Sequence, residues 1–351
     1  MSDKKATIIL IFLCLSFSSF LLGYLSIHYR IGASPTSGQL LNRFVQTSSS
    51  TEKPKKTLSL TQNPVISFGL RGDTIRYVGE DGRVFETDTN NSEPKILSQI
   101  KFSNILGIIW SRDLDGLIYI VNRNDGNKFV FLNLDSGLIK NFDYTVGAMA
   151  FSPKGDIIAY VSTVRDTGFI VVQNLKSSDS KNIASLRVKI SALGWLDDNT
   201  IYFKSSDNDR YAFFLLTLDG HMTKILEDKP NLEELWSENG KQLLFTYTVS
   251  GDNKTRILDV VTKEESSLGL DTSINKCAWS SDNRHVFCSA PKDQSGKEDF
   301  YEIDTQTKEK RLILALEPYI SVGKLAIYEL GGYAVIQNML DHRLYRISLD
   351  I

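Results

Sequence analysis

Residues 148–162 read AMAF-SPKGD-IIAYVS. A short apolar strand ends in the aromatic Phe151. A polar turn follows, and then a strongly apolar strand. The same order recurs at residues 192–206 (ALGW-LDDN-TIYFKSS), 234–248 (ELW-SENGK-QLLFTYT) and 276–290 (KCAW-SSDNR-HVFCSA). Ser, Asp, Asn and Gly dominate the turns because they accept the backbone conformations of tight hairpins. Val, Ile, Phe and Tyr dominate the strands, where pleated surfaces suit them.

Outward from these units, the landmark aromatics are Phe68, Trp110, Phe151, Trp195, Trp236, Trp279 and Tyr328. Their spacings are 42, 41, 44, 41, 43 and 49 residues. A period near 40–45 residues with four strands per unit is the pattern of propeller blades. Third strands read VFETD, KFVFLNL, FIVVQNL, YAFFLLTL, TRILDV, DFYEID and RLYRISL. Weaker fourth strands read PKILS, LIKNF, KNIAS, MTKIL and KRLIL, as expected where water reaches more of the strand. The seventh unit lacks a fourth strand. Lys56–Leu60, a spare strand before the first unit, is expected to supply it and so remove an exposed sheet edge. The fold predicted is all-β, a seven-bladed propeller over residues 56–351.

The units AFSPKGDIIAYVS, LWSENGKQLLFTY and AWSSDNRHVFCSA resemble the TolB-type, WD-repeat-like propeller repeat, whose unit is an aromatic, Ser-Pro-Asp-Gly-Lys and an apolar strand. Residues 151–163 match best, and the resemblance spans roughly residues 64–351. It implies a propeller and, often, an extracytoplasmic home and a protein-binding role. The α/β domain that precedes the TolB propeller has no counterpart here. The Trp-Asp and Gly-His pairs of true WD repeats are absent too.

The N-terminal run Ala6–Ile27 carries no charge and is long enough to cross a hydrocarbon core of about 30 Å as a helix. A transmembrane helix is expected over residues 6–28, after a short cytoplasmic N-terminus of residues 1–5. A cleaved signal peptide fits less well: its apolar region is shorter, and its cleavage site needs small residues. Lys4 and Lys5 set the N-terminus on the cytoplasmic side. Residues 29–55 are polar and Ser/Thr-rich around QTSSSTEKPKK, which reads as a flexible linker. The chain is thus expected to be a single-pass membrane protein with its propeller outside the cytoplasm.

The charge is −2, from 40 basic and 42 acidic residues. No basic surplus exists to hold a phosphate backbone, so nucleic acid is not an expected partner. His28, His221, His285 and His342 show no metal-ligand spacing. No G-x-S-x-G elbow and no Gly-rich phosphate loop opening a helix occurs. Turn carboxylates such as Asp73, Asp113, Asp115, Asp197, Asp198 and Asp282 read as caps of their own turns rather than a calcium loop. No cofactor and no metal is expected.

Two pairs remain. Glu233 and Lys276 each stand three residues before a landmark tryptophan, in neighbouring units. This shared register predicts a channel-lining ion pair. Cys277 and Cys288 lie symmetrically about the turn at Asp282-Asn283, directly opposite in the hairpin. They form either a disulfide, outside the cytoplasm, or two buried thiols. The leading functional expectation is a non-enzymatic, membrane-tethered scaffold for a protein or polymer. The alternatives are a propeller enzyme, a polysaccharide lyase or glycoside hydrolase acting through convergent carboxylates, and a small-ligand sensor at the channel mouth.

Overall fold

The computed structural model describes residues 57–123, 126–142, 146–293 and 296–349. The expected transmembrane helix over 6–28 and the linker lie outside the described residues. Among the described residues no helix is long and apolar enough to cross a membrane.

The described residues form seven antiparallel four-stranded sheets. The first strand, β1 (Thr57–Ser59), belongs to the last blade. Blade 1 is β2 (Val65–Arg71), β3 (Thr74–Gly79), β4 (Val84–Asp88) and β5 (Lys95–Ser98). Blade 2 is β6 (Ile105–Trp110), β7 (Gly116–Arg123), β8 (Gly126–Asn133) and β9 (Ile139–Phe142). Blade 3 is β10 (Val146–Phe151), β11 (Ile157–Val164), β12 (Thr167–Asn174) and β13 (Ser180–Leu186). Blade 4 is β14 (Lys189–Trp195), β15 (Thr200–Asp207), β16 (Arg210–Thr217) and β17 (Met222–Pro230). Blade 5 is β18 (Glu233–Trp236), β19 (Gln242–Val249), β20 (Asp252–Asp259) and β21 (Glu265–Ser267). Blade 6 is β22 (Cys277–Trp279), β23 (His285–Pro291), β24 (Glu298–Asp304) and β25 (Lys310–Ala315). Blade 7 is β26 (Val322–Tyr328), β27 (Tyr333–Asn338), β28 (Leu344–Ser348) and the returning β1.

Ring closure follows the sequence expectation. β1 pairs antiparallel with β28, Thr57 opposite Ile347 and Ser59 opposite Tyr345. Leu60 then continues the ladder through its amide to the Leu344 carbonyl at 2.8 Å. The landmark aromatics end the innermost strands in six blades; in blade 1, β2 runs three residues beyond Phe68. The fourth strand of blade 5, β21, was missed in the sequence because Glu265-Ser-Ser267 has no apolar residue.

Why second strands are apolar throughout is clear from the packing. Alternate residues of a strand face opposite ways, and each blade has a neighbour on both sides. Ile118 packs toward blade 3, while Leu117 and Tyr119 pack toward blade 1. The core is therefore seven apolar layers, one between each pair of neighbouring blades.

The turn after each inner strand has its own chemistry. Ser111, Ser152, Ser237 and Ser280 directly follow the landmark aromatics and are buried. Each serine carbonyl accepts from the amide three residues on, at Leu114, Gly155, Gly240 and Asn283, over 2.9–3.1 Å. Those four residues have positive φ, which suits Gly and Asn. Leu114 is the exception at φ 65°. Its side chain packs onto Gly69 of blade 1, where any Cβ would overlap it, and that burial offsets the backbone strain.

Candidate functional site

The innermost strands of blades 2–5 enclose a cavity of about 640 Å³ at the end of the channel where these turns lie. The recurring aromatic places Trp110, Phe151, Trp195 and Trp236 in its wall, and Tyr202 joins them from β15. Small residues Gly147, Ala148, Ala192 and Gly194 keep the backbone side open. At Gly194 a Cβ would stand 2.2 Å from the Tyr202 ring, so only glycine lets that ring lie flat. Tyr202 in turn packs on Trp236, ring centres 4.9 Å apart.

Charge enters the cavity at two levels. At the mouth the Arg112 guanidinium of blade 2 reaches the Glu238 carboxylate of blade 5. Both side chains are about half exposed, at 53% and 55%. At the inner wall Glu234 accepts from the Lys204 ammonium at 2.8 Å, with both side chains largely buried. Burial pushes the Glu234 carboxyl above its ordinary value, and Lys204 offsets this only in part. Lys204 also donates to the Leu232 carbonyl at 3.1 Å and lies over the Tyr211 ring.

The indole N–H groups around the ring differ. Trp110 donates to the Ser67 hydroxyl of blade 1 at 3.3 Å, and Trp279 to the Leu235 carbonyl of blade 5 at 3.0 Å. The buried indole nitrogens of Trp195 and Trp236 have no such partner.

Glu233 and Lys276, expected to pair, do not use each other. The inner strand of blade 6 starts only at Cys277, and a 3-10 turn, Ile274–Lys276, precedes it. Lys276 thereby leaves the strand register and turns into its own blade, where its ammonium meets Glu298 at 2.5 Å. Glu233 is exposed. The sequence missed Glu298 because it sits on a third strand, far from the landmark aromatics. This buried carboxylate also accepts from the Ser289 hydroxyl at 2.6 Å, the Ser321 hydroxyl at 3.0 Å and the Val322 amide at 3.1 Å. Burial pushes its carboxyl up, but the hydrogen bonds from Lys276, Ser289 and the Val322 amide, with the Lys276 charge, outweigh it and hold the group below its ordinary value. Cys277 and Cys288 are paired residues of β22 and β23, both buried, and their sulfurs are joined.

Several other ionised groups on this face are occupied. Arg76 holds Glu86 at 2.8 Å and Asp115 at 2.6 Å. Arg284 holds Asp304 at 2.5 Å. His285 is bound by Asp282 at 2.6 Å. Asp113 and Asp197 cap their own turns through the amides of Asp115 and Asn199. Among the described residues no three His, Cys, Asp or Glu side chains are placed to hold a metal ion.

These features define a seven-bladed β-propeller with an aromatic-walled channel mouth. No protein-family model matches the sequence, and no curated protein matches it. Solved structures do share the fold. An oligogalacturonate lyase in complex with manganese superposes with a TM-score of 0.64 at 15% identity, over 84% of this chain and 93% of that one. The oligogalacturonate lyase of Vibrio parahaemolyticus gives 0.61 at 13% identity, over 83% and 93%. The Cps50 β-propeller domain of Myceliophteria thermophila gives 0.58 at 15% identity, over 84% and 99%. Enzymes and a propeller domain of another kind thus share this architecture, and at such identity the likeness is one of fold.

Proposed function

We propose that this chain is a non-enzymatic binding module that recognises a protein partner at the aromatic-walled mouth of its channel. Residues 6–28 hold it at a membrane, with the propeller outside the cytoplasm. One observation carries the reading. Many charged groups around the mouth pair with one another or cap their own turns, Arg112 and Glu238 in an exposed pair, while the cavity wall they surround is aromatic and small. Catalysis by acid and base needs titratable groups converging on one point with free valences. Recognition needs an apolar recess with a polar rim, and that is the geometry present. The uncharged run Ala6–Ile27 supports the membrane tether. The joined Cys277 and Cys288 support an oxidising, extracytoplasmic setting.

The test uses the full chain in its membrane. A photo-crosslinker at Lys154, on the mouth's rim, is expected to give a discrete protein adduct. The same group at Leu312, on an outer strand, is not. Equal adducts from both positions, or turnover of a polysaccharide by the purified chain, overturn the binding module. Protease added to sealed, right-side-out vesicles is expected to digest the propeller. Protection of the propeller overturns the location.

A further inference from the structure

The chemistry of the cavity narrows what enters it. Its lining includes three indoles, two phenyl rings and a phenol. Aromatic faces are electron-rich and attract cations. The ionisable residues lining the cavity are Arg112, Glu234, Glu238 and the Tyr202 phenol. Lys204 answers Glu234 from behind the wall. Glu238, by contrast, is half exposed at the mouth and held by one flexible guanidinium that is itself half exposed. Such a surface pair contributes little, so an incoming charge exchanges with it readily.

The rim carries more carboxylates than cations. The inner turns of blades 2–5 carry Asp113, Asp115, Asp156, Asp197, Asp198 and Glu238 against Arg112, Lys154 and Lys241. Arg76 of blade 1 offsets one of these carboxylates. An anionic ligand meets this excess unfavourably. A purely neutral one leaves the aromatic faces and Glu238 unused.

We infer that the cavity is a recognition site for a basic side chain, a lysine or arginine carried on the partner, which packs against the aromatic wall and takes Glu238 from Arg112. This rests on the binding-module reading and names the chemistry of its partner. Arg112 is then a guard. It occupies the carboxylate when the site is empty and swings into solvent when the partner's cation arrives.

The experiment follows tryptophan emission of the full chain in detergent micelles. The probes are N-acetyl-lysine amide, N-acetyl-arginine amide and the uncharged N-acetyl-norleucine amide. The basic amides are expected to bind saturably, and the norleucine amide about tenfold more weakly. Added salt is expected to weaken the basic amides alone. Two variants make the sign decisive. Glu238→Gln leaves Arg112 free at the mouth and should weaken the lysine amide about fivefold or more. Arg112→Gln leaves Glu238 free and should tighten it.

Three outcomes overturn the proposal. The first is norleucine amide binding as well as lysine amide, which makes the cavity an apolar site. The second is both variants weakening lysine amide alike, which makes the ion pair a structural lid. The third is no saturable change with any probe. In each case the adduct from Lys154 still decides the binding module on its own.

Discussion

At the interface of blades 6 and 7, Glu298 gathers a lysine, two hydroxyls and an amide on one buried carboxylate. At the seam of blades 7 and 1, Lys324 donates to the Phe68 carbonyl at 2.8 Å, Gln337 to the Val65 carbonyl, and Arg346 to the Thr89 carbonyl at 2.8 Å. The interfaces of blades 3, 4 and 5 are built differently. There Trp195, Tyr202, Phe203 and Phe213 pack face to neighbour, two indole N–H groups go unpaired, and the cavity opens. The difference has a physical origin. The two ends of the folded chain meet inside blade 7, where β1 pairs with β28 without a covalent link, and directional bonds on both faces of that blade hold its position. Each of blades 3, 4 and 5 is one continuous run of chain, and apolar packing joined by the buried Lys204–Glu234 pair suffices. The half that need not hold the ring shut is free to carry a recess.

Lys324, exposed on the inner strand of blade 7, belongs to that seam. Neighbouring atoms displace part of its hydration and pull its ammonium down to about 8. It sits over the Phe68 ring at 5.1 Å. Among the described residues it has no carboxylate partner, and the Phe68 carbonyl takes its proton donor instead.

This contrast breaks first at Glu298. Glu298→Ala leaves Lys276 and three other donors without their shared acceptor. It should cost about 3–5 kcal/mol in urea denaturation. The pH dependence has a definite sign. The folded carboxyl lies below its unfolded value of 4.5. Its stabilisation is therefore complete above that value and is lost as pH falls through the lower folded one. Between neutrality and pH about 3, wild type should lose more of its advantage over Glu298→Gln than a parallel-shifted curve allows.

A medium effect is expected on the opposite side. Gly194→Ala drives a methyl into the Tyr202 ring and should cost about 1–3 kcal/mol through overpacking. It should also shift tryptophan emission, because Tyr202 lies against Trp236. Gly147→Ala is the control, since its Cβ would meet nothing within 4 Å. Equal losses at both positions would remove the argument that Gly194 is there for the ring.

The smallest effect sharpens the comparison most. Trp279→Phe deletes the hydrogen bond to the Leu235 carbonyl, whereas Trp195→Phe deletes a donor that has no partner. Both lose similar apolar volume. Thermal or urea unfolding should show Trp279→Phe the more damaging by about 1 kcal/mol. The reverse order would mean that the Trp195 indole is paired in solution.

Much of the fold was legible because each blade repeats its own local chemistry. In blades 2, 3, 5 and 6 the aromatic, the buried serine and the positive-φ residue recur at fixed offsets, and the turn they make is closed by bonds three residues apart. Even ring closure was legible, since one unit lacked a strand and one strand lacked a unit. Strand β21 escaped because an outer strand open to water needs no apolar residue. The site was less legible. Aromatics that marked the period turned out also to wall a cavity, but their register said nothing about which of them would line it. Glu238 and Arg112 stand 126 residues apart, and no local pattern connects them.

The sequence by itself determined the blade, the number of blades and the strand that closes the ring, because hairpin turns and period-two burial depend on neighbours a few residues away. The uncharged run at the N-terminus likewise carries its own expectation of a membrane helix. Only the tertiary structure decided the ionic partners. Lys276 went to Glu298 rather than Glu233 because one 3-10 turn took it out of register. Arg112 met Glu238 because the ring brought blade 2 to face blade 5 across the channel. Charge pairing depends on distances of a few ångströms between segments far apart in the chain, and only the closed ring sets those.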